Sequence, residues 1–334
     1  YDPALSNGGF FNALVAVNLP VVNGTTRSAQ FLALALQTET LRNNALLNAQ
    51  ELRRSIGTQY ITAYGLGQQV KFNRTTLDLL RREEVILKRL TEQNVYAQID
   101  YLTFLGSLRQ QETTVRQLEI QYRKELGTLN YLAGILDTAL VMLPDPQLAL
   151  PQILPSANSA LYQKYVLDSL QIQADDRLID NAYRPSFNLL GDAGFNSSFE
   201  NQGGRNFGFS VGATATVPIY DGQQRRLRHE RSVLLENTRQ GYRDVFLRQY
   251  QQETLQAQQQ LAALDELDQS IQAQLQNART LIEANGRLLR TGEARVLDYL
   301  MAIGNLMTAQ NQLSLNAIDR FQIYNQLNFR TAVK

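Results

Sequence analysis

The reactive groups of this 334-residue chain are carboxylates and a single histidine, with no cysteine, and their spacing argues against catalysis. His229 stands on a basic stretch with no partner close to it in sequence. Asp175-Asp176 and the Asp265-Glu266…Asp268 group lie on helical stretches. Adjacent carboxylates on a helix point different ways, so both groups read as solvated faces rather than a cation site. Gly65-Leu66-Gly67 lacks the preceding strand and the third glycine of a dinucleotide loop. The absence of cysteine removes a thiol nucleophile, a thiolate metal site and a disulfide scaffold. No acid, base and nucleophile converge, so no catalytic residue, metal site or cofactor is expected, and the chain is not expected to be an enzyme. Two carboxylates stand apart. Asp100 and Asp298 each lie six residues beyond a break between helices, at Asn94 and Gly292. A carboxylate near the start of a helix gains about 0.3–1 kcal/mol from the macrodipole, which is a sufficient local role for either.

These aspartates are also equivalents of one another. Val17-Asn18-Leu19-Pro20-Val21-Val22-Asn23-Gly24 returns as Ala215-Thr216-Val217-Pro218-Ile219-Tyr220-Asp221-Gly222, an offset of 198 residues. The offset then holds without a gap: Arg27 pairs with Arg225, Leu77 with Leu275, Arg81 with Arg279, Asp100-Tyr101-Leu102 with Asp298-Tyr299-Leu300, and Leu129-Asn130 with Leu327-Asn328. A long repeat without slippage means one structural unit used twice. The first unit is expected over 1–136 and the second over 159–334. Between them, 137–158 carries Pro144, Pro146, Pro151 and Pro155 and cannot be helical. Roughly Ser156–Gly203 has almost no counterpart ahead of Tyr1, so the first unit is expected to lack its opening strand and helix.

Strands are expected at about 10–20, 186–197 and 206–218, where apolar and polar residues alternate. The apolar sides read Phe11, Ala13, Val15, Val17, Leu19; then Phe187, Leu189, Ala193, Phe195; then Phe209, Val211, Ala213, Ala215, Val217. Lengths of about 10 residues suit a tilted membrane strand, but a sandwich with a wet outer face alternates in the same way. No run of 18 apolar residues marks a transmembrane helix. Helices are expected over about 25–136 (broken near Asn94), 160–183 and 223–332, with an irregularity near Gly65 and Gly67. The two Pro-free stretches, each about 65 residues, would run close to 100 Å, too long for one globular core and typical of coiled coils. Their remaining faces are rich in Gln and Asn, as in Gln258-Gln259-Gln260, which suggests walls wetted on both sides; a solvated coiled coil would read alike. Gly292 aligns with Asn94, and both residue types tolerate a positive φ, so each long helix is expected to end on a left-handed residue. Gly106 and Gly304 are expected at close helix contacts. The fold class is therefore mainly α with a small β part, built from a duplicated strand–long helix–returning helix unit. With 19% charged residues and a net charge of +1, there is no basic stripe for nucleic acid.

Used twice, the order strand, Pro-(Ile/Val)-x-(Asp/Asn)-Gly, long helix, Leu-x-x-x-Gly-x-x-x-x-x-Asp-x-Leu and returning helix resembles the TolC-like outer-membrane efflux proteins. Pro218-Ile219-Tyr220-Asp221-Gly222 and Gly292…Asp298-Tyr299-Leu300 carry it best, and the likeness covers nearly the whole chain. The resemblance implies a homotrimer with four strands per chain, three of them visible here. These would form one outer-membrane β-barrel, continuous with an α-helical tunnel in the periplasm of a Gram-negative bacterium, with the Pro-rich link in its equatorial region. It implies a passive exit duct of a tripartite system for multidrug or other small-molecule efflux. A periplasmic adaptor would open it at the helical tip, and an inner-membrane pump would act indirectly. On this resemblance Asn94, Val95, Gly292 and Glu293 fall on adaptor-binding turns, and Asp100, Asp298, Arg290 and Arg295 at the periplasmic gate. Phe11, Val15, Val17, Phe187, Leu189, Phe209 and Val211 would face outer-membrane lipid. The family's bracing Tyr–Arg pair and second Asp align with Leu289, Ala294 and Met301, which cannot make those bonds. Arg290 and Arg295 are therefore expected to pair with Asp298, Asp100 or Glu92. The alternatives are a type I protein-secretion duct and, from another class, a soluble coiled-coil scaffold.

Overall fold

The computed structural model describes residues 10–21, 24–137, 139–148, 159–198 and 207–331. In chain order these form β1 (Phe10–Pro20), α1 (Gly24–Glu92), α2 (Gln98–Ala133), α3 (Ala160–Ala182), β2 (Ser186–Ser198), β3 (Phe207–Thr216), α4 (Gln224–Thr291) and α5 (Val296–Thr331). The molecule is mainly α with a small sheet, as the periodicity implies. Packing divides the chain across its repeats rather than between them. One unit gathers the residues up to Asn44 with Tyr162–Val245, and the other gathers Ala45–Leu161 with the residues from Phe246 onward.

The packing unit that includes Tyr162–Val245 holds an antiparallel sheet of order β1-β2-β3. Residues directly opposite in such a ladder share a face, and the register aligns Val15 with Ala193 and Phe209, Val17 with Gly191 and Val211, and Leu19 with Leu189 and Ala213. Phe187 stands opposite Ala215 on the same side. Phe11 is in register with Ser197, its side chain lying outside the described set. On the reverse face Ala16, Asp192 and Ser210 align, and the Ser210 hydroxyl donates to the Asp192 carboxylate. A slip of one residue would send every apolar side chain to the polar face. Val15, Phe209 and Val211 are 74%, 76% and 80% exposed, so the chain itself leaves this apolar face uncovered. Among the described residues no helix is long and apolar enough to cross a membrane.

In the packing unit of Ala45–Leu161 and the residues from Phe246 onward, the apolar stripes of four helices meet. Leu77, Leu80 and Leu87 of α1 pack with Phe104, Leu108 and Val115 of α2, Leu289 of α4, and Val296, Tyr299 and Ile303 of α5. A second cluster joins Ala63 and Val70 of α1 to Tyr122, Leu126 and Leu129 of α2. The irregularity expected near Gly65 and Gly67 is absent, because α1 runs unbroken through both. Their role is steric. A Cβ on Gly65 would stand 2.1 Å from Ile318 Cδ1, and one on Gly67 would stand 3.2 Å from Tyr122 Cε2. Gly106 and Gly304 need the opposite correction. A Cβ on either would meet nothing within 4 Å, and both line an open groove beside Leu80, Ile303 and Met307. The Pro-rich link is latched by tyrosine hydroxyls: Tyr60 donates to Pro144 O (2.8 Å), Tyr64 to Asp145 Oδ1 (2.6 Å) and Tyr122 to Val141 O (2.6 Å). Burial, then the bond to Asp145, pushes the Tyr64 phenol up to about 12. Pro151 and Pro155 lie outside the described residues.

Candidate functional site at the helix turns

The backbone of the two turns explains why Asn and Gly occupy them. Asn94 has φ 63° and Gly292 φ 83°, the left-handed values that alignment of the turns implies. Asn94 N–H donates to Thr91 O at 3.0 Å and Val95 N–H to Leu90 O at 2.9 Å. Gly292 N–H donates to Leu289 O at 3.4 Å and Glu293 N–H to Leu288 O at 2.9 Å. Both are Schellman endings, in which carbonyls left over from the helix find partners. The next helices begin at once, with Asp100 N–H on Ala97 O (3.0 Å) and Asp298 N–H on Arg295 O (3.1 Å). Ala97 offers no side-chain cap. Both aspartates therefore lie in first turns whose free N–H groups favour a negative charge.

Three contacts join the second turn to α1 and the turn that follows it. A Cβ on Gly292 would stand 2.5 Å from Val95 Cγ1, so the turns touch at that pair. Tyr96 Oη lies 2.9 Å from the carbonyl oxygens of both Leu289 and Ala294, sharing one hydroxyl hydrogen between them. Burial, then the charge of Asp100, holds this phenol above its ordinary value. The third contact is an ion pair: Arg290 Nη2 donates to Glu83 Oε1 at 2.6 Å. The Glu83 side chain is 4% exposed and that of Arg290 55%, and Glu83 Oε2 is buried without a hydrogen-bond partner among the described residues. Tyr299 is buried against the same site, and desolvation pushes its phenol far up. Its repeat equivalent Tyr101 instead donates to Glu84 Oε1 at 2.6 Å.

The four gate candidates do not form one network within the chain. Arg295 pairs with Asp298 at 3.0 and 3.1 Å, as expected for that arginine. Arg290 does not reach Asp298, Asp100 or Glu92. It projects from the last turn of α4 toward α1, where Glu83 interrupts the apolar spacing Leu80-Glu83-Leu87. That interruption was the signal available in the sequence: a carboxylate within a buried stripe needs a cation. Asp100 has no ion pair among the described residues and stands near Tyr96. The adaptor-site candidates Asn94, Val95 and Glu293 are exposed, and Gly292 is half-buried beneath Val95. His229 also needs correction: it has two partners on α3, Asp176 and Asp180, and Asp176 is therefore not part of a merely solvated face.

A duplicated strand–helix–turn–helix chain, with one uncovered apolar sheet face and paired Schellman turns, defines the class: the fold is that of the TolC-like outer-membrane channels. The chain is similar to a membrane protein from Pseudomonas aeruginosa at TM-score 0.76 and 15% identity, covering 97% of this chain and 81% of that one. It is similar to the outer membrane protein VceC of Vibrio cholerae at TM-score 0.72 and 13% identity, covering 96% and 86%. For the open state of the MtrE outer membrane channel of Neisseria gonorrhoeae the TM-score is 0.71 at 12% identity, covering 97% and 80%. No protein-family model and no curated protein matches the chain.

Proposed function

We propose that this chain is the outer-membrane exit duct of a tripartite export system for small molecules, opened by a periplasmic adaptor at the helical turns. The observation that carries the reading is a fold shared over nearly the whole chain with outer-membrane channels. The aligned rows around Val15, Val17 and Leu19 support it, because an exposed apolar face backed by Asp192, Ser210 and Asn188 suits lipid outside and water inside. Phe11, Val15, Val17, Phe187, Leu189, Phe209 and Val211 then meet lipid in a barrel completed by two further copies. Asn94, Val95, Gly292 and Glu293 receive the adaptor. The two turns differ, with Glu92, Asn94 and Tyr96 in one and Arg290, Gly292 and Ala294 in the other, so a trimer offers two kinds of adaptor groove.

Three copies of a pore-facing aspartate favour cations. Replacing both Asp100 and Asp298 with Ala is expected to lower the cation-to-anion permeability ratio about fivefold, the effect of roughly 1 kcal/mol for a water-screened charge at close range. Because Arg295 already offsets Asp298, the single change at Asp100 is expected to have the larger share. Currents across planar bilayers, with and without a candidate adaptor, measure this. Unchanged selectivity would remove the aspartates from the pore, and a protein that is soluble and monomeric without detergent would overturn the duct itself.

A further inference from the structure

In the sheet-bearing packing unit, α3 leads into β2 and α4 follows β3, so contacts between these helices hold the roots of the β2–β3 hairpin. His229 on α4 faces two carboxylates on α3. Its Nδ1 lies 2.8 Å from Asp176 Oδ1 and its Nε2 3.1 Å from Asp180 Oδ1. Asp176 and Asp180 are one helical turn apart, so both can reach the same ring. A neutral imidazole carries a hydrogen on one nitrogen only, and the other would aim a lone pair at a carboxylate oxygen. The doubly protonated ring alone donates to both.

The surrounding charges agree. Arg225 Nη2 donates to Asp180 Oδ1 at 2.7 Å, so Asp180 is shared between a guanidinium and the ring, while Asp176 meets the ring. On α3 the other charged neighbour in the groove is Arg177. On α4 it is Glu236, which Arg239 holds down to about 2. The groove beside Arg177 and Asp180 is lined on α1 by the uncharged Thr25 and Ser28, and beyond α3 by Arg184, which donates to the Thr25 hydroxyl.

We infer that His229, Asp176 and Asp180 form a proton-operated clasp between α3 and α4. With both ring nitrogens protonated, the clasp ties the roots of the β2–β3 hairpin. Loss of one ring proton turns one of its two bonds into a repulsion and loosens the pair. The hydrogen bond that the ring donates to Asp176 raises the ring above the ordinary histidine value, against desolvation. The folded value therefore exceeds the unfolded one of about 6.5. The clasp's contribution is full below the unfolded value and is lost as pH rises through the raised folded value. Arg225 holds Asp180 low and Arg239 holds Glu236 low, so neither changes charge in that window. With the His229 side chain 31% exposed, the device adjusts stiffness rather than locking the helices.

Within these 334 residues His229 is the only histidine and there is no cysteine, so both probes report on the clasp. In the whole protein in detergent or lipid, 15N-histidine solid-state NMR at pH 6 is expected to show both ring nitrogens protonated, with a titration midpoint above 6.5. Asp176→Asn is expected to lower that midpoint. Nitroxides on Leu170→Cys and Leu235→Cys, exposed on α3 and α4, are expected to lose dipolar broadening as pH rises through the midpoint. In His229→Gln the broadening is expected to be weak at every pH. A single ring tautomer at pH 6, a spin–spin distance that ignores pH, or a His229→Gln protein as tightly held as acidified wild type would each overturn the clasp.

Discussion

Replacing Arg290 with Ala is expected to open the helix turns locally, raising the exchange rate of amides around Leu288–Ala294 about thirtyfold. The change strands the Glu83 carboxylate, 4% exposed, without the counter-charge of Arg290 and with Oε2 already unpartnered among the described residues. A buried pair broken from one side costs about 3–5 kcal/mol when both members are enclosed. Here the guanidinium is 55% exposed and water already screens it, so about 2 kcal/mol is the better figure. That energy is roughly thirtyfold in an opening equilibrium. Arg290→Lys keeps the charge but loses the planar fork and should fall between the two. Adding Glu83→Gln to Arg290→Ala removes the stranded charge and should recover most of the protection. In planar bilayers the single variant should be open more often and the double variant less so. If Arg290→Ala exchanged like the wild type, the pair would have no role in holding the turns.

A Gly292→Val change is expected to have a comparable effect through a different cause. At φ 83° a β-branched residue is strained by about 1–3 kcal/mol. The new Cβ would also stand 2.5 Å from Val95 Cγ1, and such overpacking costs about 1–3 kcal/mol more. Together these displace one turn from the other and pull Leu289 O and Ala294 O away from the Tyr96 hydroxyl. The two causes separate experimentally. Gly292→Asn relieves most of the backbone strain, as Asn94 does in the equivalent turn at φ 63°. Val95→Ala then makes room for its Cβ. Hydrogen exchange at both turns should show the Asn/Ala double variant close to wild type and the Val variant unprotected on both sides. Protection at Asn94–Tyr96 that survived Gly292→Val would mean the turns are held independently.

Much of this fold was legible in advance, and for identifiable reasons. The strand faces followed from a period of two, because successive side chains of a strand point to opposite faces; the register Val15–Ala193–Phe209 carries that pattern across three strands. The left-handed turns followed from Asn94 and Gly292, because few other residue types tolerate that conformation. Glycines within helices were less legible. Gly65 and Gly106 look alike in sequence, yet Gly65 lies against Ile318 and Gly106 faces open space.

What depends on residue type and local spacing could thus be read from the chain: a duplicated unit, its helices and strands, the faces of the strands and the conformation of both turns. Which charges meet depends on packing between distant segments. Arg290 and Glu83 are 207 residues apart, and His229 is 53 from Asp176. Such pairings depend on how each helix is rotated and staggered against its neighbour. A helical period states which residues share a face, but not which residue of the next helix that face will find.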